Sequence, residues 1–175
     1  MNAIAACVLL GLGGALALPA GAVSLTASNT TATISTTHTV SVTIDRQATQ
    51  VDGFYFDLEY DGTLISLPPY PGPGLPGHVT TVGTGAADLI CNDLGVPPPN
   101  VFRCTATTPV TSETFEVRIA FNVGATAAPA PGTPLTLRPS TYTTNGGLDE
   151  PLFETITSGS VIIIAGPPPD VIVTF

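Results

Sequence analysis

Three stretches of this chain alternate apolar and polar residues with a period of two. That period belongs to a strand, because successive side chains of an extended chain point to opposite faces. In HTVSVTID, Val40, Val42 and Ile44 share one face while Thr39, Ser41 and Thr43 take the other. In GFYFDLEY, Phe54, Phe56, Leu58 and Tyr60 point one way, and Tyr55, Asp57 and Glu59 point the other. In TFEVRIAFNV, Phe115, Val117, Ile119, Phe121 and Val123 oppose Glu116, Arg118 and Asn122. Each stretch therefore carries one face for a core and one for water. Further strands are expected at residues 24–27, 64–67, 78–82, 87–91, 102–107, 135–137 and 160–164. So many half-buried strands exceed one sheet with a wet face, and the pattern predicts an all-β fold of two antiparallel sheets packed as a sandwich.

The residues between these stretches agree. Eighteen Gly, eighteen Pro and only 10% charged residues make the chain poor in helix formers and rich in strand and turn formers. PPYPGPGLPG at 68–77 lacks ladder donors and reads as an extended surface loop, while PAPGTP and TNGGLDEP read as turns. Thirteen acids face four Arg and no Lys, a net charge of -9. That balance repels phosphate, so nucleic acid and anionic lipid surfaces are excluded as partners.

The N-terminus, MNAIAACVLLGLGGALALPAGAVSL, reads as a processing signal. An apolar run at 3–18 precedes Pro19 and the small-x-small pattern Ala20-Gly21-Ala22. Residues 1–22 are assigned to this segment, 23–165 to the β-sandwich, and 166–175 to a proline-rich linker with a terminal apolar strand. Lipidation at Cys7 and retention of the segment as an uncleaved membrane tether are the alternatives, and they are the chain's only route to a membrane. Export places the protein at the cell surface or free outside the cell, where conditions are oxidising. Of three cysteines, Cys91 and Cys104 remain in the exported chain and are expected to pair. A bridge closing a loop of this size stabilises by about 3 kcal/mol in the chain-entropy model. Zinc fails on ligand count, since His38 and His78 are the only histidines and neither is at ligand spacing from a cysteine.

The aromatic-rich stretch at 51–67 also resembles a family. Phe54, Phe56, Leu58, Tyr60 and Asp61, followed by Leu64 and Leu67, resemble the early strands of cohesin domains. RIAFNVGATAAPAPGTPLTLRPSTY resembles a later cohesin region, and TSGSVIII, with Gly159, Val161 and Ile163, resembles the closing strand. The resemblance spans residues 23–165 and implies a jelly-roll-like sandwich of about nine strands, shared with certain carbohydrate-binding modules. It also implies a dockerin-like protein partner. The Cys91–Cys104 loop and the 68–77 segment depart from that pattern.

The candidate binding residues are Tyr55, Asp57 and Glu59, an aromatic anchor and two acids on one strand face. Asp57 and Glu59 stand about 6 to 7 Å apart along the strand, close to the separation of paired glycosidase carboxylates. An open sheet face gives neither acid a cleft to raise its pKa, there is no G-x-S-x-G, and no catalytic residue is assigned. No cofactor or metal site is assigned either. Asp61-Gly62, Asn92-Asp93 and Asp149-Glu150 are loop carboxylates suited to a structural calcium ion, without the spacing of a calcium loop. The sequence thus predicts a non-enzymatic extracellular module that attaches to a protein, dockerin-like or of the cell envelope. A carbohydrate-binding accessory module, which would take a polysaccharide, and a structural subunit of an extracellular assembly are the alternatives.

Overall fold

The computed structural model of the chain describes residues 21–68, 77–95, 99–125 and 130–165, the last from its backbone alone at 130–132. The processing segment with Cys7, most of the 68–77 loop including Tyr70, and the terminal segment 166–175 lie outside the described residues.

The first half of the chain forms β1 (Ser24–Ala27), β2 (Asn29–Thr33), β3 (Thr37–Asp45), β4 (Gly53–Tyr60), β5 (Ile65–Ser66), β6 (Val79–Val82) and β7 (Ile90–Asp93). The second forms β8 (Asn100–Ala106), β9 (Thr114–Val123), β10 (Ala130–Leu137), β11 (Thr141–Thr143), β12 (Thr155–Thr157) and β13 (Gly159–Ile164). They build two sheets. One runs β12-β1-β3-β9-β5, with β6 also on β9; the other runs β2-β13-β10-β4-β8-β7, with β11 also on β4.

The alternating faces meet as the pattern predicts. Val40, Val42 and Ile44, Phe54, Phe56, Leu58 and Tyr60, and Phe115, Val117, Ile119, Phe121 and Val123 are all buried. Each such side chain contributes about 1.5–3 kcal/mol relative to an exposed one. Phe54 of β4 lies 5.9 Å from Phe115 of β9, and Tyr60 lies 5.2 Å from Phe121, so the two central strands are clamped across the core at both ends.

Four features differ from the sequence expectation. The sheets are not wholly antiparallel: β1 pairs with β12, and β2 with β13, in parallel. The reason is a sheet switch at Ser28, whose amide donates to the Ser41 carbonyl at 2.8 Å while its hydroxyl accepts the Ser41 amide at 3.0 Å. Gly159 crosses beside it so closely that a Cβ there would sit 2.2 Å from the Ser28 carbonyl oxygen. PAPGTP, expected as a turn, enters β10, which begins at Ala130 and whose register on β13 shifts between Ala130 and Thr133. Proline is tolerated at such an irregularity because the ladder is already interrupted there. The strand expected at 87–91 begins only at Ile90, because Asp88 draws the preceding residues into a turn. Its carboxylate accepts the amides of Thr107 and Thr108 at 3.0–3.1 Å as well as both hydroxyls. Finally β2, β11 and β12 are threonine-rich, carry little apolar alternation, and are strands only because neighbours offer them a ladder.

Cys91 and Cys104 form the expected disulfide, with Cα atoms 4.2 Å apart. They face each other directly across the β7–β8 ladder, both buried in the core. The bridge therefore staples a hairpin at the edge of the seven-stranded sheet.

Candidate functional site

Strand β4 lies inside the seven-stranded sheet, so its outward side chains are surrounded by those of β8, β10 and β11. Tyr55, Asp57 and Glu59 share the outer face, as the alternation requires. The structure corrects one part of that reading: Asp57 is not wet. Its residue exposure is 3%, against the open, solvated carboxylate expected from a strand pattern alone.

Arg103 of β8, directly opposite Asp57 in the ladder, is the reason. Its Nε donates to Asp57 Oδ1 at 2.8 Å and its Nη2 to Oδ2 at 2.9 Å, a two-pronged pair. The Tyr55 hydroxyl donates to Asp57 Oδ2 at 2.7 Å, and the Arg103 guanidinium carbon stands 4.9 Å from the centre of the Tyr55 ring. Burial alone would raise the Asp57 pKa, but the hydrogen bonds from Arg103 and Tyr55 outweigh it and hold the carboxyl below its ordinary range. Burial and the bond to Asp57 push the Tyr55 phenol up. Glu59 is engaged in turn by Arg138, through both Nε and Nη2. The two acids are therefore ion-paired, and the groups reaching solvent beside them are guanidinium edges, with the Arg103 and Arg138 side chains 40% and 47% exposed.

The register extends the site further than the sequence pattern does. Leu152 opposes Thr141, Thr141 opposes Tyr55, Tyr55 opposes Thr105, and Thr105 opposes Ile90. Directly opposed residues point to the same face, so these five make one row across the sheet. Strand spacing gives it a length of about 19 Å. Its two ends are exposed and apolar, Leu152 at 59% and Ile90 at 47%, and its centre is the Tyr55 ring fixed by Arg103 and Asp57. The next row on the same face runs Asn92, Arg103, Asp57.

Sequence reasoning named Tyr55, Asp57 and Glu59 for this face; the structure also brings Arg103, Arg138, Ile90 and Leu152 to it, which the sequence reading did not name. Arg103 was findable, since it sits one residue before Cys104 and must face away from a core-facing cysteine. Leu152 carried no signal, because its place depends on a loop folding back onto β11. The loop carboxylates considered for calcium are taken up locally. Asp61 accepts from Thr63, Asp93 from the Tyr60 hydroxyl, and Asp149 from Asn145. Among the described residues no group of three or more His, Cys, Asp or Glu side chains could hold a metal ion.

Solved structures that resemble this two-sheet sandwich include many cohesin modules. A cohesin from Clostridium acetobutylicum matches with a TM-score of 0.63 at 18% identity, over 82% of this chain and 92% of that one. A chain of a cohesin–dockerin complex from Clostridium thermocellum matches at 0.59 and 15%, over 82% and 100% respectively. A non-cellulosomal cohesin from the hyperthermophilic archaeon Archaeoglobus fulgidus matches at 0.53 and 14%, over 82% and 92%. No protein-family model and no curated protein matches this chain.

Proposed function

We propose that this chain is a non-catalytic extracellular module that attaches to another protein through the outer face of its seven-stranded sheet. The row Leu152–Thr141–Tyr55–Thr105–Ile90 carries the reading: exposed apolar ends on either side of a half-buried tyrosine, with two ion pairs beside it. An aromatic anchor held rigid before contact, rimmed by paired charges, is the arrangement from which protein interfaces draw most of their affinity. Cohesin modules solved in complex with dockerins support a protein partner of that kind. The buried disulfide supports an oxidising compartment.

The test is capture from the source organism's secreted and envelope fractions, followed by affinity measurement with each purified captured protein. Ile90→Asp and Leu152→Asp change exposed side chains and leave the core intact. Each is expected to weaken the partner by about thirtyfold, the scale of an interface hot spot. Val82→Asp, an exposed position on β6 in the other sheet, is expected to leave binding unchanged. Binding that survives both row variants, or that falls equally with Val82→Asp, overturns the reading.

A further inference from the structure

We propose that a depression at the end of β4 receives a lysine or arginine side chain from the attached protein. This rests on the attachment reading and adds one chemical requirement for the partner. The depression has a volume of about 410 Å³ and is lined by Glu59, Tyr60, Asp61, Thr63, Pro99, Pro134 and Thr136. That volume lies within the range of side-chain and small-ligand pockets. Glu59 is four residues along β4 from Tyr55, about 13 Å, so one partner covering the row reaches both.

The lining matches a long cationic side chain in both its parts. Pro99 and Pro134 offer apolar walls to a methylene stem, and Glu59 and Asp61 offer carboxylates to its head. Arg138 already compensates Glu59, and among the described residues no ion pair engages Asp61. The Thr63 amide and hydroxyl both donate to Asp61 Oδ1, at 2.9 and 2.6 Å, and hold that carboxyl below its ordinary range. The turn that carries it is fixed against β8, since a Cβ at Gly62 would come within 2.4 Å of the Asn100 side chain.

The chain contains no Lys, and its four Arg are already engaged, Arg138 on Glu59 at the pocket itself. Arg103, Arg118 and Arg138 are paired with Asp57, Glu116 and Glu59, and Arg46 donates to the carbonyls of Thr49 and Thr111. A sugar fits the pocket less well, because the one aromatic ring in its lining is turned inward: Tyr60 is 2% exposed, with its hydroxyl on Asp93.

The experiment is an amide NMR titration of the full chain with the capped peptide Ala-Lys-Ala, beside its norleucine and glutamate analogues and cellobiose. The lysine peptide is expected to give saturable shifts at Asp61, Thr63 and Thr136 at millimolar concentration, and the other three are not. Asp61→Asn keeps an oxygen for the Thr63 bonds and is expected to weaken the peptide about tenfold, whereas Asp149→Asn, an equal charge change in another loop, leaves it unchanged. No shift with lysine, equal shifts with norleucine or cellobiose, or equal weakening by Asp149→Asn overturns the proposal. The two readings fail separately. Lysine binding with capture indifferent to Ile90→Asp and Leu152→Asp refutes the row alone, and the reverse pattern refutes the pocket alone.

Discussion

Arg103→Met removes the cation from Asp57 and keeps most of the side-chain stem. Asp57, whose side chain is 4% exposed, then retains only the Tyr55 hydroxyl at 2.7 Å. Removing one partner of a buried pair costs about 3–5 kcal/mol, because the other charge is left without compensation. The Arg103 side is 40% exposed, so water reaches part of the gap and lowers the cost to about 2–3 kcal/mol. At about 2–4 °C per kcal/mol for a domain of this size, the melting temperature at neutral pH falls by about 4–12 °C. The pH dependence identifies the cause. In the parent chain Asp57 titrates below its unfolded value of about 3.9, so its contribution is full above that pH and is lost as pH falls through the folded pKa. In the variant, burial acts without the cation and raises the carboxyl above 3.9 or so, which reverses the sign. The stability gap between the two chains should therefore be large at pH 7 and shrink below about pH 4, where Asp57 is protonated in the variant. Urea unfolding at neutral and acidic pH measures this, and Asp57→Leu with Arg103→Met should recover most of the loss at neutral pH. A gap independent of pH, or a double variant no better than the single one, would refute the reasoning.

Cys91→Ala with Cys104→Ala should lower stability by about 3 kcal/mol, read by the same unfolding experiment, with the β7–β8 hairpin losing hydrogen-exchange protection first. Gly159→Ala should cost about 2–4 kcal/mol, because its Cβ would meet the Ser28 and Ala27 carbonyl oxygens at 2.2 and 2.8 Å, while Gly77→Ala, whose Cβ would meet nothing within 4 Å among the described residues, should be neutral. Burial and the bond to Glu154 push the Tyr142 phenol up to about 12, so tyrosinate absorbance should show it neutral well past the ordinary value of about 10. Its contribution to stability is full below about pH 10 and is lost as pH rises toward the folded value, a step that Tyr142→Phe removes.

The fold was legible where burial is one-sided. In β3, β4 and β9 a two-residue period determines which side chains enter the core, and those side chains are the ones buried. It was illegible where the ladder comes from elsewhere. The run 29–33, NTTAT, buries only Ala32 and is a strand because β13 lies alongside it. The candidate site was half legible for the same reason. Alternation puts Asp57 on the outer face, but its burial depends on which residue β8 brings opposite, and register between strands distant in sequence is a tertiary property.

The ion pairs on this face fix a neighbouring ring as well as contributing to the fold. Three of the four arginines are paired with acids, and two of those pairs lie side by side on β4, in a chain of net charge -9. An exposed pair contributes about 0–1 kcal/mol to stability, so the Glu59–Arg138 pair on its own adds little to the fold. What the Asp57–Arg103 pair does is immobilise Tyr55, whose hydroxyl is tied to the carboxylate and whose ring is covered by the guanidinium. Ordering a free side chain on association costs about 0.5–1.5 kcal/mol, and a ring already fixed avoids that cost. The same pairs neutralise the acids at the centre of the sheet, so the attachment proposed for this face would strand no bare carboxylate there. The acids that mark this strand in the sequence thus pair with arginines of neighbouring elements, and the Asp57 pair also holds the Tyr55 ring in place.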